Sequence, residues 1–495
     1  MMLTKAIEQN KNLFPNKIVL EDENESLTFS EFVSRAKALG TEIAKLGYKN
    51  RAVAVEAERS IHSVVGFFAA IYSGNFFMPV DPGTPDLRLQ KMIECSMPIA
   101  FLSVNDDGIF KNLNPIDIKR AQGLKIDEEL LTKVAENHID IDPCYMIWTS
   151  GSTGEPKGVI INHGQACELA FFLKEILEIE TDDILGNQSP FYFDGAMKDI
   201  FLFGYFGVKL VIIPKKFFAL PVNLVEFLNK TQVNVLLWAV SALNILVNSK
   251  VLERENLKYV NKVTFAGESM QTSKLNYLRK KINASFTNLY GPSETTVDCA
   301  YYKVNRDFSD TEPIPIGRAF PNMELFLVDE NHRETFYKGE IVVRGSKISC
   351  GYYRDNERTK RAFIQDPRQN FYRDIVYLTG DIAKYNDNGE LVFLSRADDQ
   401  IKHMGSRIEL GEIDAAISSM PGIHEGACVY DRENSLIVYF YSGEETSRRE
   451  IFKFLRGHLP KYMFPNVIKK LDTLPKNRAG KIDRLKLMEI YERDK

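Results

Sequence analysis

A run of six small residues that ends close to a lysine is the strongest chemical signal in this sequence. The apolar residues 145–148 lead into it, Lys157 follows it, and its members are Thr149, Ser150, Gly151, Ser152, Thr153 and Gly154. Small residues let backbone N–H groups approach an anion closely, hydroxyl groups add donors, and Lys157 adds positive charge. The run therefore predicts a loop that binds the phosphates of a nucleotide. The structural alternative is a flexible Ser/Gly linker.

Two well-known phosphate-binding motifs do not fit this loop. A P-loop needs a glycine immediately before its lysine, whereas Pro156 stands before Lys157. The loop also lacks the G-x-G-x-x-G spacing of a dinucleotide-binding turn. The chain has no equivalent of a protein-kinase catalytic loop. A kinase or a P-loop ATPase is therefore disfavoured.

The sequence resembles the adenylate-forming superfamily, which includes acyl-CoA synthetases, firefly luciferase and the adenylation domains of nonribosomal peptide synthetases. Residues 149–158 resemble its signature loop. Seven further segments resemble its other motifs in the family's order: residues 27–29, 72–82, 288–296, 339–353, 377–381, 396–412 and 474–483. The resemblance implies an enzyme that uses ATP and Mg²⁺ to join a carboxylic acid to AMP, with release of pyrophosphate.

The resemblance implies that several motifs bind the nucleotide and its metal. Glu294 would hold Mg²⁺ near Thr149, Asp381 would accept both ribose hydroxyls, and Tyr290 would pack on the adenine. Ser293 departs mildly from the family, which more often has threonine there, but it keeps the hydroxyl. The implied set is Thr149, Ser150, Gly151, Ser152, Thr153, Gly154, Lys157, Tyr290, Gly291, Ser293, Asp381, Arg396 and Lys481.

The resemblance assigns catalysis to Lys481, Glu294, Thr149 and Lys157. Lys481 would bridge the substrate carboxylate and the α-phosphate, where a flexible cation stabilises charge that develops in the transition state. Taken singly, Lys481 could be a solvated surface lysine, Glu294 an acid in the first turn of a helix, and Asp381 a turn residue. Their joint occurrence in the family's order favours the functional interpretation.

A polar, charged segment around Asp398 is the candidate hinge between two domains. The predicted boundaries are 1–396 for a large adenylation domain and 397–495 for a small lid domain, with Asp398 as the pivot. The resemblance implies that the small domain turns after adenylation. Lys481 then leaves the site, and the face that carries Gly405 approaches the acceptor thiol.

Asp194 indicates that the substrate is an amino acid. Residues 190–201 resemble the Phe-Asp motif of amino-acid-activating adenylation domains, in which the aspartate binds the substrate α-ammonium group. A fatty-acid-activating synthetase needs no carboxylate at this position, and aryl-acid activators often have a neutral group there. The alternative is that Asp194 caps a helix predicted over residues 195–204.

Among the residues aligned with the family's substrate pocket, Lys198 is the most informative. A lysine directed into a site without water favours a substrate with a side-chain carboxylate. Lys198 with Val297 and Asp298 resembles the pocket of glutamate activators, so an acidic amino acid such as glutamate is predicted. The alternative is a surface lysine paired with Asp199 or another acid. The aligned set is Gly195, Lys198, Leu237, Thr264, Ala266, Leu289, Val297 and Asp298.

The substrate and the acceptor each have a second candidate. D-Alanine is the second substrate, because free-standing enzymes resembling D-alanine–carrier-protein ligase have this length and layout. The expected acceptor is the phosphopantetheine thiol of a separate carrier protein, because the chain ends 14 residues after Lys481. Coenzyme A, the acceptor of acyl- and aryl-CoA synthetases, is the alternative. A non-enzymatic nucleotide or amino-acid sensor would have lost Lys481 or Glu294, so an acid–thiol ligase is favoured.

The elements that position these residues follow an α/β pattern. Strand–helix alternation in the first half, such as a helix over 30–46 with Ser30 as N-cap and a strand over 76–80, predicts parallel-rich sheets covered by helices. After about residue 313 the strands shorten, and Asn388-Gly389 forms a hairpin signal, which predicts a β-rich subdomain. The last hundred or so residues predict a small, mobile α+β domain.

The composition disfavours several other classes of protein. With 63 Lys and Arg against 67 Asp and Glu, the net charge of −4 gives no electrostatic case for nucleic acid or an anionic membrane as the main partner. No run reaches about 18 apolar residues and no signal peptide is evident, so a cytoplasmic protein without membrane insertion is expected. The six dispersed cysteines predict core thiols rather than a metal cluster or a disulfide framework.

Overall fold

The computed structural model describes residues 2–105, 108–150, 156–397, 400–403, 405–476 and 482–494. The chain divides into two units. The large unit comprises Met1–Pro82, Met97–Ile147 and Gly158–Ala397, and the small unit comprises Gly83–Ser96, Trp148–Lys157 and Asp398–Lys495.

Strands and helices alternate along most of the chain. Within the described residues the strands are β1 (Ile18–Glu21), β2 (Ser26–Thr28), β3 (Ala52–Glu56), β4 (Phe76–Val80), β5 (Ala100–Ser103), β6 (Ile116–Asp117), β7 (Pro143–Thr149), β8 (Lys157–Asn162), β9 (Ile184–Asn187), β10 (Lys209–Ile212), β11 (Val235–Ala239), β12 (Lys262–Ala266), β13 (Ser285–Tyr290), β14 (Ala300–Lys303), β15 (Arg318–Ala319), β16 (Met323–Val328), β17 (Glu334–Thr335), β18 (Lys338–Gly345), β19 (Phe363–Gln365), β20 (Ile375–Tyr385), β21 (Leu391–Arg396), β22 (Gln400–His403), β23 (Ser406–Glu409), β24 (Ile423–Asp431), β25 (Leu436–Gly443) and β26 (Val467–Lys470). The α-helices are α1 (Leu3–Leu13), α2 (Phe29–Ala44), α3 (Ile61–Tyr72), α4 (Asp86–Ser96), α5 (Glu128–Glu136), α6 (His163–Leu177), α7 (Met197–Phe206), α8 (Pro221–Lys230), α9 (Val240–Asn248), α10 (Thr272–Lys281), α11 (Asn356–Ala362), α12 (Leu410–Ser418), α13 (Arg448–Leu455) and α14 (Arg484–Arg493).

Two parallel-rich sheets form the frame of the large unit. The first has nine strands in the order β15-β14-β13-β12-β11-β9-β10-β1-β2, and its strands from β13 to β1 run parallel. The second has six strands in the order β6-β5-β3-β4-β7-β8. Every residue of β3 and β4 is buried, as expected for parallel strands covered on both faces. The predicted α/β class is confirmed.

Helices α2, α3 and α7 meet in the core beside these sheets. The Phe32 ring lies edge-on to Phe68 and to Phe203, with centroid distances of 5.0 Å in both cases. The predicted N-cap of α2, Ser30, is wrong. Thr28 caps the helix, because its side chain accepts from the Glu31 N–H while the Glu31 carboxylate accepts from the Thr28 N–H. This capping box fixes the start of the helix two residues earlier.

Helix α7 is buried on all sides, which decides the environment of its polar residues. All residues from Met197 to Tyr205 are buried, and Gly207, with a φ of 65°, caps the C-terminal end of the helix before β10. Because the first turn of α7 is as buried as the rest, Lys198 and Asp199 are enclosed with it.

An antiparallel sheet completes the large unit. Its strand order is β17-β16-β18-β20-β19, and β21 pairs with β20. The turn between β20 and β21 contains Gly389 with a φ of 73°, and the Asn386 N–H donates to the Glu390 carbonyl at 2.9 Å. The predicted β-rich subdomain and its hairpin are therefore confirmed. The hairpin places Asp381 and Arg396 opposite each other in register.

The small unit combines two short sheets with helices. Strands β22 and β23 form a hairpin, and β24, β25 and β26 form a second sheet. Helices α12 and α13 contribute Ile413, Ile417, Ile451 and Leu455 to a core that also contains Ile408. Asp414 of α12 accepts a hydrogen bond from Arg484 at 2.7 Å and so ties α14 to this core.

Candidate active site

Asp381 and Arg396 form a buried ion pair on neighbouring strands. Arg396 Nη1 donates to Asp381 Oδ1 at 2.8 Å and to the Thr379 carbonyl at 3.0 Å. Tyr290, the last residue of β13, donates its hydroxyl to Asp381 Oδ2 at 2.6 Å. Burial, and next the Asp381 carboxylate, hold the pKa of Tyr290 well above its usual range, so the hydroxyl stays a donor. A carboxylate has about four lone-pair sites, so both oxygens keep capacity for further donors.

Glu294 lies in a short turn after β13 and is held at both its side chain and its backbone. The carboxylate is fully buried, and Oε1 accepts from the Tyr352 hydroxyl at 2.7 Å. The Ser349 N–H donates to the Glu294 carbonyl at 2.8 Å. A buried carboxylate is unfavourable unless it is hydrogen-bonded or coordinates a cation. Its environment therefore fits the metal-binding role implied for it.

The backbone beyond Glu294 is strained. Thr296 and Val297 have φ values of 58° and 69°, although both are β-branched. Such residues in the left-handed region cost on the order of 1–3 kcal/mol each and persist only where neighbours hold them. Gly291 allows the turn to pack closely against it, because a Cβ at this position would lie 2.5 Å from the Asp298 Cα. The Thr296 hydroxyl also supports the turn, because it donates to the Lys347 carbonyl at 2.7 Å.

Asp194 opens a single helical turn just before α7, and Ser293 donates a short hydrogen bond to its Oδ2. Helix α7 begins at Met197, and its N-cap residue, Ala196, provides no side-chain hydrogen bond. The capping alternative for Asp194 therefore receives no support from this helix start. The contact joins the candidate ammonium-binding carboxylate to the residue that precedes Glu294 in the chain.

Lys198 and Asp298 form a second bridge between the same two segments. Lys198 Nζ lies 3.4 Å from Asp298 Oδ2, and each side chain is 3% exposed. The alternative of a surface lysine is therefore wrong, because the first turn of α7 is enclosed in the core. Pairing with another acid is correct, and that acid is Asp298 rather than Asp199. Asp199 instead accepts from Asn187 Nδ2 at 2.8 Å.

The remaining aligned positions are apolar or carry hydroxyl groups. Leu237, Ala266, Leu289 and Val297 are buried in one core cluster of the large unit. Thr264 faces Leu237 in register on the neighbouring strand, and its buried Oγ1 has no hydrogen-bond partner among the described residues. Ala266 is the last residue of β12, so this strand ends beside the strand that leads into the Glu294 turn.

Tyr145, in the strand that leads into the phosphate loop, was not among the predicted site residues. Its hydroxyl is buried and has no hydrogen-bond partner among the described residues. Burial raises the pKa of Tyr145 well above its usual range, and the carboxylates of Asp194 and Asp298 raise it further. Tyr352 was not predicted either, although it lies in the segment 339–353, because a hydroxyl that acts on a residue 58 positions away leaves no local signal.

The described part of the phosphate loop belongs to the small unit. Thr149 is 8% exposed, and its Oγ1 makes no hydrogen bond within the described residues. Ser150 donates its hydroxyl to the Arg407 carbonyl at 2.8 Å. Lys157 is also 8% exposed. An unpaired buried hydroxyl is unfavourable, so Thr149 fits a position that a phosphate oxygen or a metal ion completes.

Six predicted site residues lie outside the described residues. They are Gly151, Ser152, Thr153 and Gly154 of the phosphate loop, the hinge residue Asp398 and the catalytic Lys481. Among the described residues, no group of three or more His, Cys, Asp or Glu side chains could hold a metal ion. Mg²⁺ at phosphates commonly uses one or two carboxylates, with substrate oxygens and water completing the shell.

Comparison with known proteins identifies the class. The chain has the fold of an NRPS protein with adenylation and PCP domains, solved with a vinylsulfonamide inhibitor, at a TM-score of 0.85 and 22% identity, covering 99% of this chain and 84% of that one. It is 29% identical to Zwittermicin A synthase ZmaJ of Bacillus cereus, over 100% of this chain and 95% of the relative. It is 27% identical to Tyrocidine synthase 3 of Brevibacillus parabrevis, of which it spans 7%.

The chain belongs to the AMP-binding enzyme family, which it matches over residues 7–353. Residues 412–481 match the C-terminal domain of AMP-binding enzymes. The family resemblance predicted from the ordered motifs is therefore confirmed, and with it the class of AMP-forming ligases that use ATP and Mg²⁺. No helix in the described ranges is both long and apolar enough to cross a membrane.

Proposed function

We propose that the chain activates an amino acid as its aminoacyl-AMP and then transfers the aminoacyl group to the phosphopantetheine thiol of a separate carrier protein. The observation that carries this proposal is the contact between Ser293 and Asp194. It joins a carboxylate suited to an α-ammonium group to the turn that contains Glu294. A fatty or aryl acid offers no cation to this carboxylate.

The first step joins two anions, so the residues must supply positive charge and alignment. A carboxylate oxygen of the amino acid attacks the α-phosphorus, the bond to the bridging oxygen breaks, and pyrophosphate leaves. Lys157 would neutralise the phosphates, and Lys481 would bridge the carboxylate and the α-phosphate. Asp381, fixed by Tyr290 and Arg396, would accept the ribose hydroxyls.

Glu294 and the Thr149 hydroxyl would hold the metal. When bound, Mg²⁺ supplies positive charge at the phosphate oxygens. Glu294 is suited to this role because Tyr352 fixes one of its oxygens and the Ser349 N–H fixes its backbone. Thr149 is suited because its buried hydroxyl makes no bond to a described residue.

The second step needs access for a thiol. The thiolate sulfur attacks the acyl carbon, the mixed anhydride breaks, and AMP leaves. Asp398 would act as the pivot between domains 1–396 and 397–495, so that the face carrying Gly405 replaces Lys481 at the site. The carrier assignment is supported by the relatives, since the NRPS protein of similar fold contains adenylation and PCP domains. Coenzyme A is the alternative acceptor.

The side-chain subsite contains one positive and one negative group. Lys198 suits a substrate carboxylate and supports an acidic amino acid such as glutamate. Asp298 already partners Lys198, and each of these side chains is only 3% exposed, so a second carboxylate would add net negative charge to a buried pair. A carboxamide would accept from Lys198 and donate to Asp298 without adding charge. Glutamine is therefore a further candidate, beside D-alanine.

A hydroxylamine-trapped pyrophosphate-release assay with Mg-ATP tests the proposal. The panel comprises all L-amino acids, D-alanine, D-glutamate, a fatty acid and two aryl acids. Release with glutamate, or next with glutamine, is the expected result, and Asp194→Asn should remove it while leaving the protein folded. Release with only a fatty or aryl acid would overturn the amino-acid assignment. Thioester formation with coenzyme A but no carrier protein would overturn the acceptor.

A further inference from the structure

Lys347 lies beneath the strained turn and contacts it on both sides of Val297. Its ammonium donates a short hydrogen bond to the Asp298 carbonyl, and its own carbonyl accepts from the Thr296 hydroxyl at 2.7 Å. The two contacts therefore grip the residues before and after Val297, whose φ is 69°. β-Branched residues are disfavoured in the left-handed region, so they leave it unless neighbouring residues hold them there. These two hydrogen bonds therefore stabilise the backbone conformation of residues 296–298.

The chemistry of Lys347 exceeds what packing needs. The side chain is fully buried, and the ammonium lies 4.3 Å from the centroid of the Phe320 ring. No described carboxylate forms an ion pair with it. Burial lowers the pKa of Lys347 to about 8, and nearby Cys299, Asp298 and Glu168 act in the opposite direction. A methionine would fill a similar volume without burying a cation, so the charge is unfavourable for stability alone.

We propose that Lys347 is a positioning residue for the amino-acid pocket. It fixes the Thr296–Asp298 turn so that the Asp298 carboxylate stays against Lys198. This inference rests on the proposed function, because it assigns the turn to the side-chain subsite of the amino acid.

The two ends of the turn are held by different residues, which separates their effects. Tyr352 and Ser349 hold Glu294, at the nucleotide end. Lys347 holds Thr296 and Asp298, at the amino-acid end. Loss of the Lys347 ammonium should therefore raise the KM for the amino acid and leave the KM for ATP within about twofold. The loss of one charge-assisted hydrogen bond corresponds to an increase of about ten- to a hundredfold.

The experiment compares Lys347→Met with Lys338→Met, which removes an exposed lysine from the same strand–loop segment. Lys347→Gln keeps a donor without the charge and should recover part of the loss. Tyr352→Phe is the reference for the other end of the turn, where the KM for Mg-ATP should rise instead. KM and kcat are measured for both substrates, and the thermal midpoint is recorded for each variant.

A second measurement does not depend on knowing the substrate. Amide hydrogen exchange of peptides covering residues 291–299 is followed in the free enzyme, where Lys347→Met should accelerate exchange at least tenfold and Lys338→Met should not change it. Unchanged exchange, or equal rises in the KM for both substrates, would refute the positioning role. Faster exchange in Lys347→Met, together with no amino-acid-dependent activity in the wild type, would overturn the proposed function and the pocket assignment. Only the statement that Lys347 stabilises the turn would then remain.

Discussion

Removing one partner of the buried Lys198–Asp298 pair should lower the free energy of unfolding. Lys198→Met would leave the Asp298 carboxylate enclosed without its counter-charge. At the observed 3.4 Å and an effective dielectric constant of about 20, the lost attraction is about 5 kcal/mol. Breaking a buried pair by removing one partner is generally destabilising by about 3–5 kcal/mol. We therefore expect the free energy of unfolding of the large unit to fall by about 3–5 kcal/mol.

Urea unfolding followed by tryptophan fluorescence measures this change, because Trp238 is fully buried in the core of the large unit. Trp148→Phe in every sample restricts the signal to Trp238. The matched control is Lys303→Met, which breaks an exposed pair with Glu178 at 2.9 Å and should shift the midpoint little. The double variant with Lys198→Met and Asp298→Leu removes both charges and should recover most of the loss.

Two outcomes would contradict the role of the Lys198–Asp298 pair. If Lys198→Met unfolds at the same urea concentration as the wild type, burial of the Asp298 carboxylate does not require the Lys198 charge. If the double variant is no more stable than the single variant, the loss comes from packing rather than from an unpaired charge. The folded fraction of Lys198→Met must also be checked before its substrate preference is read. A change in preference is then expressed as the ratio of kcat/KM for glutamate to that for glutamine.

Two further predictions concern single polar groups. Thr149→Val removes a buried hydroxyl that has no partner among the described residues, so the thermal midpoint should not fall. Adenylation should nevertheless slow by about ten- to a hundredfold. A lower thermal midpoint with an unchanged kcat would contradict this role for Thr149. Burial raises the pKa of Asp199 to about 7, above the value of about 4 expected in the unfolded chain. The unfolded state therefore loses this proton first, and the free energy of unfolding, unaffected by Asp199 below pH 4, decreases by roughly 4 kcal/mol as the pH rises to 7. Asp199→Asn should reduce the difference in unfolding free energy between pH 5 and pH 8, and an unchanged difference would show that Asp199 does not titrate in this range.

Local patterns in the sequence predicted much of the frame. Strand β4 coincides with the predicted strand over residues 76–80, and the Asn388-Gly389 signal forms the expected hairpin. These elements are governed by nearby residues, since turn chemistry and apolar periodicity act over a few positions. The helix start at Thr28 was missed because Ser30 is also a good cap by residue type. Only the partner three positions later, Glu31 for Thr28, distinguishes the two.

Motif resemblance named several residues of the candidate site, but it revealed neither Tyr352 nor the contacts that these residues make. Asp194, Lys198, Ser293 and Asp298 were identified through motif resemblance, yet their pairing joins segments about a hundred residues apart. Sequence spacing carries no information about such a meeting. The positive φ of Val297 was also invisible, because a β-branched residue predicts extended backbone. Lys347 gave no signal, since a lysine between Ser346 and Ile348 has the pattern of an ordinary exposed loop residue.

The strained turn at residues 296–298 depends on residues outside it, which matters when segments are exchanged between family members. A graft that exchanged residues 293–298 alone would import a backbone shape without Gly291 on one side or the Lys347 carbonyl on the other. The new segment would then relax toward extended conformations, and its imported specificity would be lost even though every pocket residue was present. A crossover that carries residues 290–352 as one block takes the turn together with Tyr290, Lys347 and Tyr352. The natural unit of exchange is therefore this block and not the string of pocket residues.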